Sequence, residues 1–442
     1  MLHFSCEKHV GSLHDVTMTI SLLLQQLEQH KLPTIDLKLD RVKYFLKCIG
    51  NPHHSLPPVI HVAGTNAKGS VIAFAHEMLK QAGKTAHRYT SPHLVRFNER
   101  IMLNNHIIDD NQLERALERM IEQQKEHHCP LTYFESTTIT ALQLFAHNSA
   151  DAVFLEVGLG GRLDATNVID APSACIITPI GMDHQAYLGD TLALIAVEKA
   201  AIIKHGVPVI VSRQEAEAAH VIAQQAHVMH APLYRLGVEW DYKILSDGRL
   251  HYISDTLDIV TPAPSMLGVH QYDNAACAIA LMDVIGASFD VSNGAIIQGV
   301  EHAHWMGRLQ ELPLHAYNVE NAIYVDGGHN PHAAKALQEW CITRSHPIHI
   351  ICGMRDDKDA DKVIAILASK AASITAITIP NDPQSLPAHK IYEIAKHYHN
   401  HVFQAHTVEQ AVQNISKKYG NLHEILITGS LYLTGAVLGD VL

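Results

Sequence analysis

Residues 57–70 read PPVIHVAGTNAKGS, and residues 70–83 read SVIAFAHEMLKQAG. The first begins as a short run of branched apolar residues, the signature of a buried strand, and ends in a glycine-bracketed loop. The second carries helical periodicity and stops at Gly83. Strand, glycine loop and helix in that order resemble a phosphate loop, whose usual spelling places lysine directly before Ser or Thr. Here Lys68 precedes Gly69 and Ser70 follows it. A glycine turn with an exposed lysine would give the same letters. The context favours a cradle: N–H groups at a helix start lack helical acceptors, and the helix dipole favours an anion there. In that reading Gly64 and Gly69 bracket the loop, Thr65 and Asn66 supply donors, Lys68 adds a positive charge, and Ser70 offers a hydroxyl to Mg²⁺.

The same alternation continues outward. ADAVFLEVG (150–158 within SADAVFLEVG), SACIITPIG (173–181) and VPVIVS (207–212) read as strands, and TLALIAVEKAAIIKHG (191–206) as a helix. Parallel strands with helical crossovers follow, in an α/β sheet covered on both faces. Between Tyr234 and Pro264 the pattern changes to antiparallel hairpins beside the main sheet, and HQYDNAACAIALMDVIGA (270–287) returns to helix. A second α/β series, NAIYVDGG, HNPHAAKALQEWC, PIHIICG, SITAITIP and EILITG, predicts a separate core. The expected architecture is an ATP-binding unit over residues 1–305, mostly parallel with a small antiparallel part, and a Rossmann-like C-terminal unit over 306–442.

Composition narrows the function. The chain has 442 residues, 47% hydrophobic and 18% charged, which describes a soluble globular protein of two or more domains. A net charge of −12 argues against nucleic-acid binding. The N-terminus lacks a basic segment followed by a long apolar one, and no stretch is long enough to span a bilayer. Seven cysteines without a C-x-x-C pair read as reduced thiols, mostly buried, in a cytoplasmic protein. The 34 histidines are dispersed without zinc-site spacing and read mainly as surface residues.

Further candidates sit where predicted strands end, the place at which open α/β sheets bind ligands. Glu156, in FLEVGLGGRLDATNV, can hold the magnesium that bridges triphosphate oxygens, or cap its own loop. Asp183 and His184 follow another strand end. The ends of three strands thereby bring Ser70, Glu156 and His184 to one rim. Lys199 lies on an apolar helix and by spacing alone reads as a surface lysine with a buried stem. Asp326 and His329, in VDGGHNP, are candidate ribose or adenine contacts.

Together these segments resemble the folylpolyglutamate synthase and dihydrofolate synthase family, a branch of the Mur-ligase-like amide ligases. The resemblance runs nearly end to end, through IDLKLDRV, HVAGTNAKGS, TSPHLVRFNERI, TYFESTT, EVGLGGRLDATN, MDHQAYLG, EKAAIIK, LGVHQYDNAACAIA, GRLQ, VDGGHNPHA, CGMRDDKD and ITGSLYL. The family's loop reads G-T-N-G-K-G-S/T, so its letter order is the one found here. Two positions depart from the family: Ala67 replaces the usual glycine, which suits only a residue without positive φ, and Met306 stands where proline precedes Gly-Arg.

The resemblance implies ATP-dependent amide-bond formation with L-glutamate, through an acyl phosphate, on dihydropteroate and on folates, in a bifunctional bacterial-type enzyme that is a cytoplasmic monomer. It implies ATP phosphates at Ala67, Lys68, Gly69 and Ser70, magnesium at Ser70, Ser91, Glu156 and His184, and further ATP contacts at Asn274, Arg308 and Asp326. Lys199 matches a lysine that the family often carries as a carbamate, which turns it into a magnesium ligand. The pterin is expected near Asp36, Leu37, Lys38 and Leu39, near Thr132, Tyr133, Phe134 and Glu135, and near Leu163, Asp164 and Ala165. Lys68, His184 and Lys199 are the catalytic candidates. Two rivals are a cell-wall Mur ligase, against which TSPHL…FNERI and the lack of an extra uridine-nucleotide domain argue, and a non-catalytic nucleotide-dependent binding module.

Overall fold

A computed structural model describes residues 13–29 and 38–441. Runs of Val, Ile and Ala whose every residue is buried make the central strands, because a strand covered on both faces has no polar side to show. The first sheet contains β1 (Val59–Ala63), β2 (Ala86–Tyr89), β3 (Ile101–Leu103), β4 (His106–Ile107), β5 (Ala152–Glu156), β6 (Ala174–Ile177), β7 (Val209–Val211) and β8 (Leu233–Arg235). Its order is β4-β3-β2-β5-β1-β6-β7-β8. Pairing is parallel from β2 to β8, and only β3 and β4 run antiparallel at the edge.

Beside it lies a three-stranded antiparallel sheet of β9 (Trp240–Ile244), β10 (Leu250–Ser254) and β11 (Asp258–Thr261). Leu233–Arg235, at the start of the expected hairpin region, instead extends the main sheet in parallel with β7. The third sheet draws its strands only from residue 310 onward: β12 (Gln310–Glu311), β13 (Ile323–Val325), β14 (Ile348–Cys352), β15 (Ser373–Ala376), β16 (Val402–Gln404) and β17 (Glu424–Thr428). Its order is β12-β13-β17-β14-β15-β16, parallel except for the short β12.

Helix Lys68–Gln81 is buried over most of its length, sandwiched between the first sheet and helix His270–Ile285. Its apolar stretch from Val71 to Ala75 suits a helix with neighbours on most sides, and most of its polar residues gather toward the C-terminal end. It starts at Lys68, two residues earlier than the sequence pattern gives. The helix expected over 191–206 ends at Ala200, because the chain turns at 201–206 to enter β7. Four histidines, His61, His76, His87 and His349, lie in the core against the surface expectation for this residue type. No helix among the described residues is long and apolar enough to cross a membrane.

Candidate active site

Because β2, β5, β1 and β6 are parallel neighbours, their carboxyl ends emerge on one rim and deliver Ser91, Glu156, the 64–70 loop and the 179–184 loop side by side. Across from them stand the segment that leads into β12 and the turns that follow β13, β14 and β17. Between lies a cavity of about 970 Å³.

The loop is built around Gly64. Its φ is +149°, and a Cβ there would sit 1.8 Å from Thr178 Oγ1 on the β6 side, so only glycine fits. The Thr65 and Asn66 amides donate to Pro179 O at 3.0 and 3.3 Å. These two backbone amides therefore fasten the loop to the 179–184 segment. The first-turn amides of Lys68, Gly69 and Ser70 have no acceptor one turn back and remain for an anion. Ala67 is left-handed, with φ 69° and ψ −9°. The condition under which alanine would be comfortable is therefore not met, and the strain is about 1–2 kcal/mol for an L-residue.

Two lysines converge on one carbonyl. Lys68 Nζ donates to Gly64 O at 3.1 Å, and Lys199 Nζ donates to the same oxygen at 3.0 Å. Lys199 is only 5% exposed, which overturns the surface reading that its spacing suggests. Burial, then the charge of Lys68, brings its ammonium down to about 7. Lys68 Nζ lies 3.7 Å from Glu156 Oε1, and the Ser91 amide donates to Glu156 Oε2 at 3.1 Å. Burial still pushes the Glu156 carboxyl up, against the pull of Lys68 and the Ser91 N–H.

The far side supplies a polar joint. Asp183 accepts from Lys358 Nζ at 2.9 Å and from Asn330 Nδ2 at 3.3 Å, and lies 3.5 Å from His329 Nε2. Asn330 and Asn66 exchange amide hydrogen bonds, 2.9 and 3.3 Å, directly across the loop. Burial opposes ionisation of Asp183, but the His329 hydrogen bond and the surrounding cations hold its carboxyl far below the usual range. Asp326 accepts from the amides of Leu309 and Gly328, fixing the segment that carries Arg308 to the end of β13.

The other end of the cavity is aromatic and apolar, with Tyr133, Phe134, Leu163 and Ala165 in its wall. Phe134 closes on Gly158, where a Cβ would meet its ring at 2.3 Å. Glu135 is committed to structure: it completes a capping box with Thr132 and pairs with both Arg41 Nε and a terminal guanidinium nitrogen at 2.9 and 2.8 Å. Asp164 likewise ties its own loop, accepting from the Gly158, Leu159 and Thr166 amides.

Gly64 to Ser70, Ser91, Thr132 to Glu135, Glu156, Leu163 to Ala165, His184, Lys199, Asn274, Arg308, Asp326 and His329 all line this one cavity. Of the first pterin segment, Lys38 and Leu39 do not: Lys38 is exposed and Leu39 packs at the edge of the core beneath helix Asp40–Cys48. Asp36 and Leu37 lie outside the described residues. Sequence reasoning missed Lys358, Asn330 and Trp305, whose roles depend on contacts between distant segments.

A profile of the Mur ligase, glutamate ligase domain matches residues 307–431. The Bacillus subtilis dihydrofolate synthase/folylpolyglutamate synthase is 33% identical over 89% of this chain and 92% of its own. The chain belongs to the dihydrofolate synthase/folylpolyglutamate synthase family. The family's Escherichia coli member is 35% identical over 78% of each chain. Solved structures agree: E. coli FolC in complex with DHPP and ADP superposes with a TM-score of 0.85 at 30% identity, covering 96% of this chain and 97% of that one. The Yersinia pestis bifunctional folylpolyglutamate synthase/dihydrofolate synthase, complexed with AMPPNP and Mn ion, gives 0.84 at 28%, covering 96% and 98%. Members of this family are ATP-dependent ligases.

Proposed function

We propose that this chain joins L-glutamate to dihydropteroate and to the glutamate tails of folates, using ATP. The observation that carries it is the meeting, in one cavity, of a phosphate loop held by two lysines, a buried carboxylate beside one of them, and an aromatic wall. The relatives bound to DHPP and ADP, and to AMPPNP with manganese, support the same pairing of ligands.

A substrate carboxylate attacks the γ-phosphorus, giving an acyl phosphate and ADP, and the glutamate amine then displaces orthophosphate. Lys68 and Arg308 neutralise charge developing on the transferred group, while the free amides of the first helical turn hold the neighbouring phosphates. Asn274, Asp326 and His329 contact the nucleoside. Ser70, Ser91, Glu156 and His184 are hard or borderline donors, few enough to suit Mg²⁺ that keeps waters and phosphate oxygens as its other ligands. Magnesium held by these residues would supply positive charge that offsets the repulsion between the triphosphate and the incoming carboxylate. Lys199, with its lowered basicity, is suited to add CO₂: its neutral amine attacks the carbon, releases one proton and leaves a carbamate anion. That carbamate is the proposed further metal ligand.

The proposed division at 305/306 places this chemistry at a joint, and closing the joint keeps water from the acyl phosphate. Every proposed group comes from a single chain, which fits a monomer. The test is phosphate release from MgATP with dihydropteroate, and separately with tetrahydrofolate, each dependent on L-glutamate. Absence of release with both would refute the ligase reading in favour of a non-catalytic binding module, glutamate-independent release would make the chain a plain ATPase, and a response only to cell-wall precursors would favour the Mur rival. Lys68→Ala is expected to lower kcat/KM by at least about 10²-fold with an unchanged denaturation curve.

A further inference from the structure

A second cavity, of about 440 Å³, lies against the outer face of helix Lys68–Gln81, away from the nucleotide. Its wall takes His76, Glu77 and Lys80 from that helix, Arg88 from β2, and His302 and His304 from the segment leading to Trp305. Two of these side chains keep one buried nitrogen each without a partner, although His76 also bonds Asn105, a further wall residue. His76 is 6% exposed, and its Nε2 has no hydrogen-bond partner. Arg88 is part-buried, but its Nε is buried and unpartnered, and the carboxylates of Glu156 and Glu99 act on its guanidinium through charge alone. A buried donor left unmade is expensive, by about 1–3 kcal/mol and more for a charged group.

The charges at this cavity do not cancel. Glu77, its one acid, is saturated by Lys80 at 3.2 Å and by Gln81 Nε2 at 2.8 Å. Within the wall itself no acid is left to neutralise Arg88, on which Glu156 and Glu99 act from outside the cavity, so the wall repels cations and its donors match an oxyanion. Apolar lining is limited to Ala73 and Met102, too little for a hydrophobic ligand.

We propose that this cavity is a phosphate-type oxyanion site, with Arg88 and His76 as its principal donors and inorganic phosphate as its ligand. It is separate from the catalytic cavity but joined to it through one side chain. The Arg88 guanidinium carbon sits 4.6 Å from the centre of the Trp305 ring, and Trp305 also packs on Gly69, where a Cβ would come within 2.6 Å of it. An occupant that draws on Arg88 thus acts on the support of the phosphate loop. Free phosphate is a product of ligation, but the site itself is argued from geometry and stands apart from the ligase reading.

The test uses the full chain saturated with Mg-AMPPNP, so that the phosphate positions of the nucleotide cavity are filled. Radiolabelled inorganic phosphate is followed by equilibrium dialysis at constant ionic strength, with tryptophan fluorescence in parallel. The expected result is one saturable site per chain at about millimolar phosphate, weakened at least about tenfold by Arg88→Gln. Lys80→Gln, on the exposed side of the cavity, frees Glu77 to repel the anion and is expected to weaken binding without touching the core. In the unaltered chain, phosphate is expected to shift the His76 imidazole resonances. Absence of saturation up to about 50 mM phosphate, roughly fifty times the expected dissociation constant, would overturn the proposal. So would equal binding by folded Arg88→Gln, a fluorescence change reproduced by chloride, or unmoved His76 resonances at saturation.

Discussion

Replacing Lys199 by methionine is expected to destroy ligation and yet stabilise the fold. The ammonium, ordinarily titrating at 10.5, is brought to about 7 by burial and by Lys68. At about 1.4 kcal/mol per pH unit, that displacement corresponds to about 5 kcal/mol of destabilisation at low and neutral pH. The sign follows from which state binds the proton more tightly. The unfolded chain does, so the penalty is complete below pH 7, shrinks as pH rises, and vanishes above 10.5. Methionine fills similar space without a charge. The hydrogen bond lost contributes about 1 kcal/mol, and Gly64 O is not orphaned because Lys68 still donates to it. A net gain of about 2–4 kcal/mol at pH 7 is therefore expected for Lys199→Met, in line with other buried charges replaced by apolar residues. Urea denaturation of both proteins, nucleotide-free and in CO₂-depleted buffer, measures it at pH 7 and again at pH 10. The difference should largely close at pH 10, and bicarbonate should stabilise only the parent. A less stable Lys199→Met at pH 7, or a difference indifferent to pH, would refute the reasoning.

Ala67→Gly is expected to leave stability unchanged or raise it by up to about 1 kcal/mol, since relief of left-handed strain outweighs the added freedom of the unfolded chain; a clear loss in urea denaturation would count against the loop conformation. Gly64→Ala places a methyl group on Thr178 and is expected to abolish nucleotide binding in calorimetry, with normal affinity as the contrary result. Asp183→Asn removes a charge shared by Lys358 and His329, and breaking such a pair costs about 3–5 kcal/mol when buried. It should lower kcat and enlarge the radius of gyration in solution scattering, and an unchanged scattering curve would show that the joint does not depend on it. Because the Asp183 carboxyl is held below its ordinary range, its contribution is complete above about pH 4 and is lost on acidification.

The sequence discloses what is local. Continuous apolar runs identify β1, β5, β6, β14 and β17, and strand-end positions identify the 64–70 loop and Glu156, because both signals lie within a few residues. Ser91 was reachable only by resemblance: β2 is four residues long and carries His87 and Arg88, so periodicity does not mark it. Lys199 shows the same limit in reverse, since a helical spacing shared by surface and core lysines says nothing about what covers the side chain. Asp183, Asn330 and Lys358 are separated by up to 175 residues, and only the fold brings them into contact. The left-handed Ala67 is invisible to propensity, which would have put glycine there.

The single carbonyl of Gly64 gathers Lys68 and Lys199 beside the phosphate loop, which on the proposed carbamate would also set an order of events in time. An incoming triphosphate brings several negative charges beside Lys199, and these restore its affinity for a proton. A protonated amine cannot take up CO₂. On the proposed carbamate, loading therefore runs carbon dioxide first and nucleotide second, and enzyme given them in the opposite order should show a lag in phosphate release that prior bicarbonate removes. Absence of the lag would separate Lys199 from any such history and leave it a plain cation at the loop.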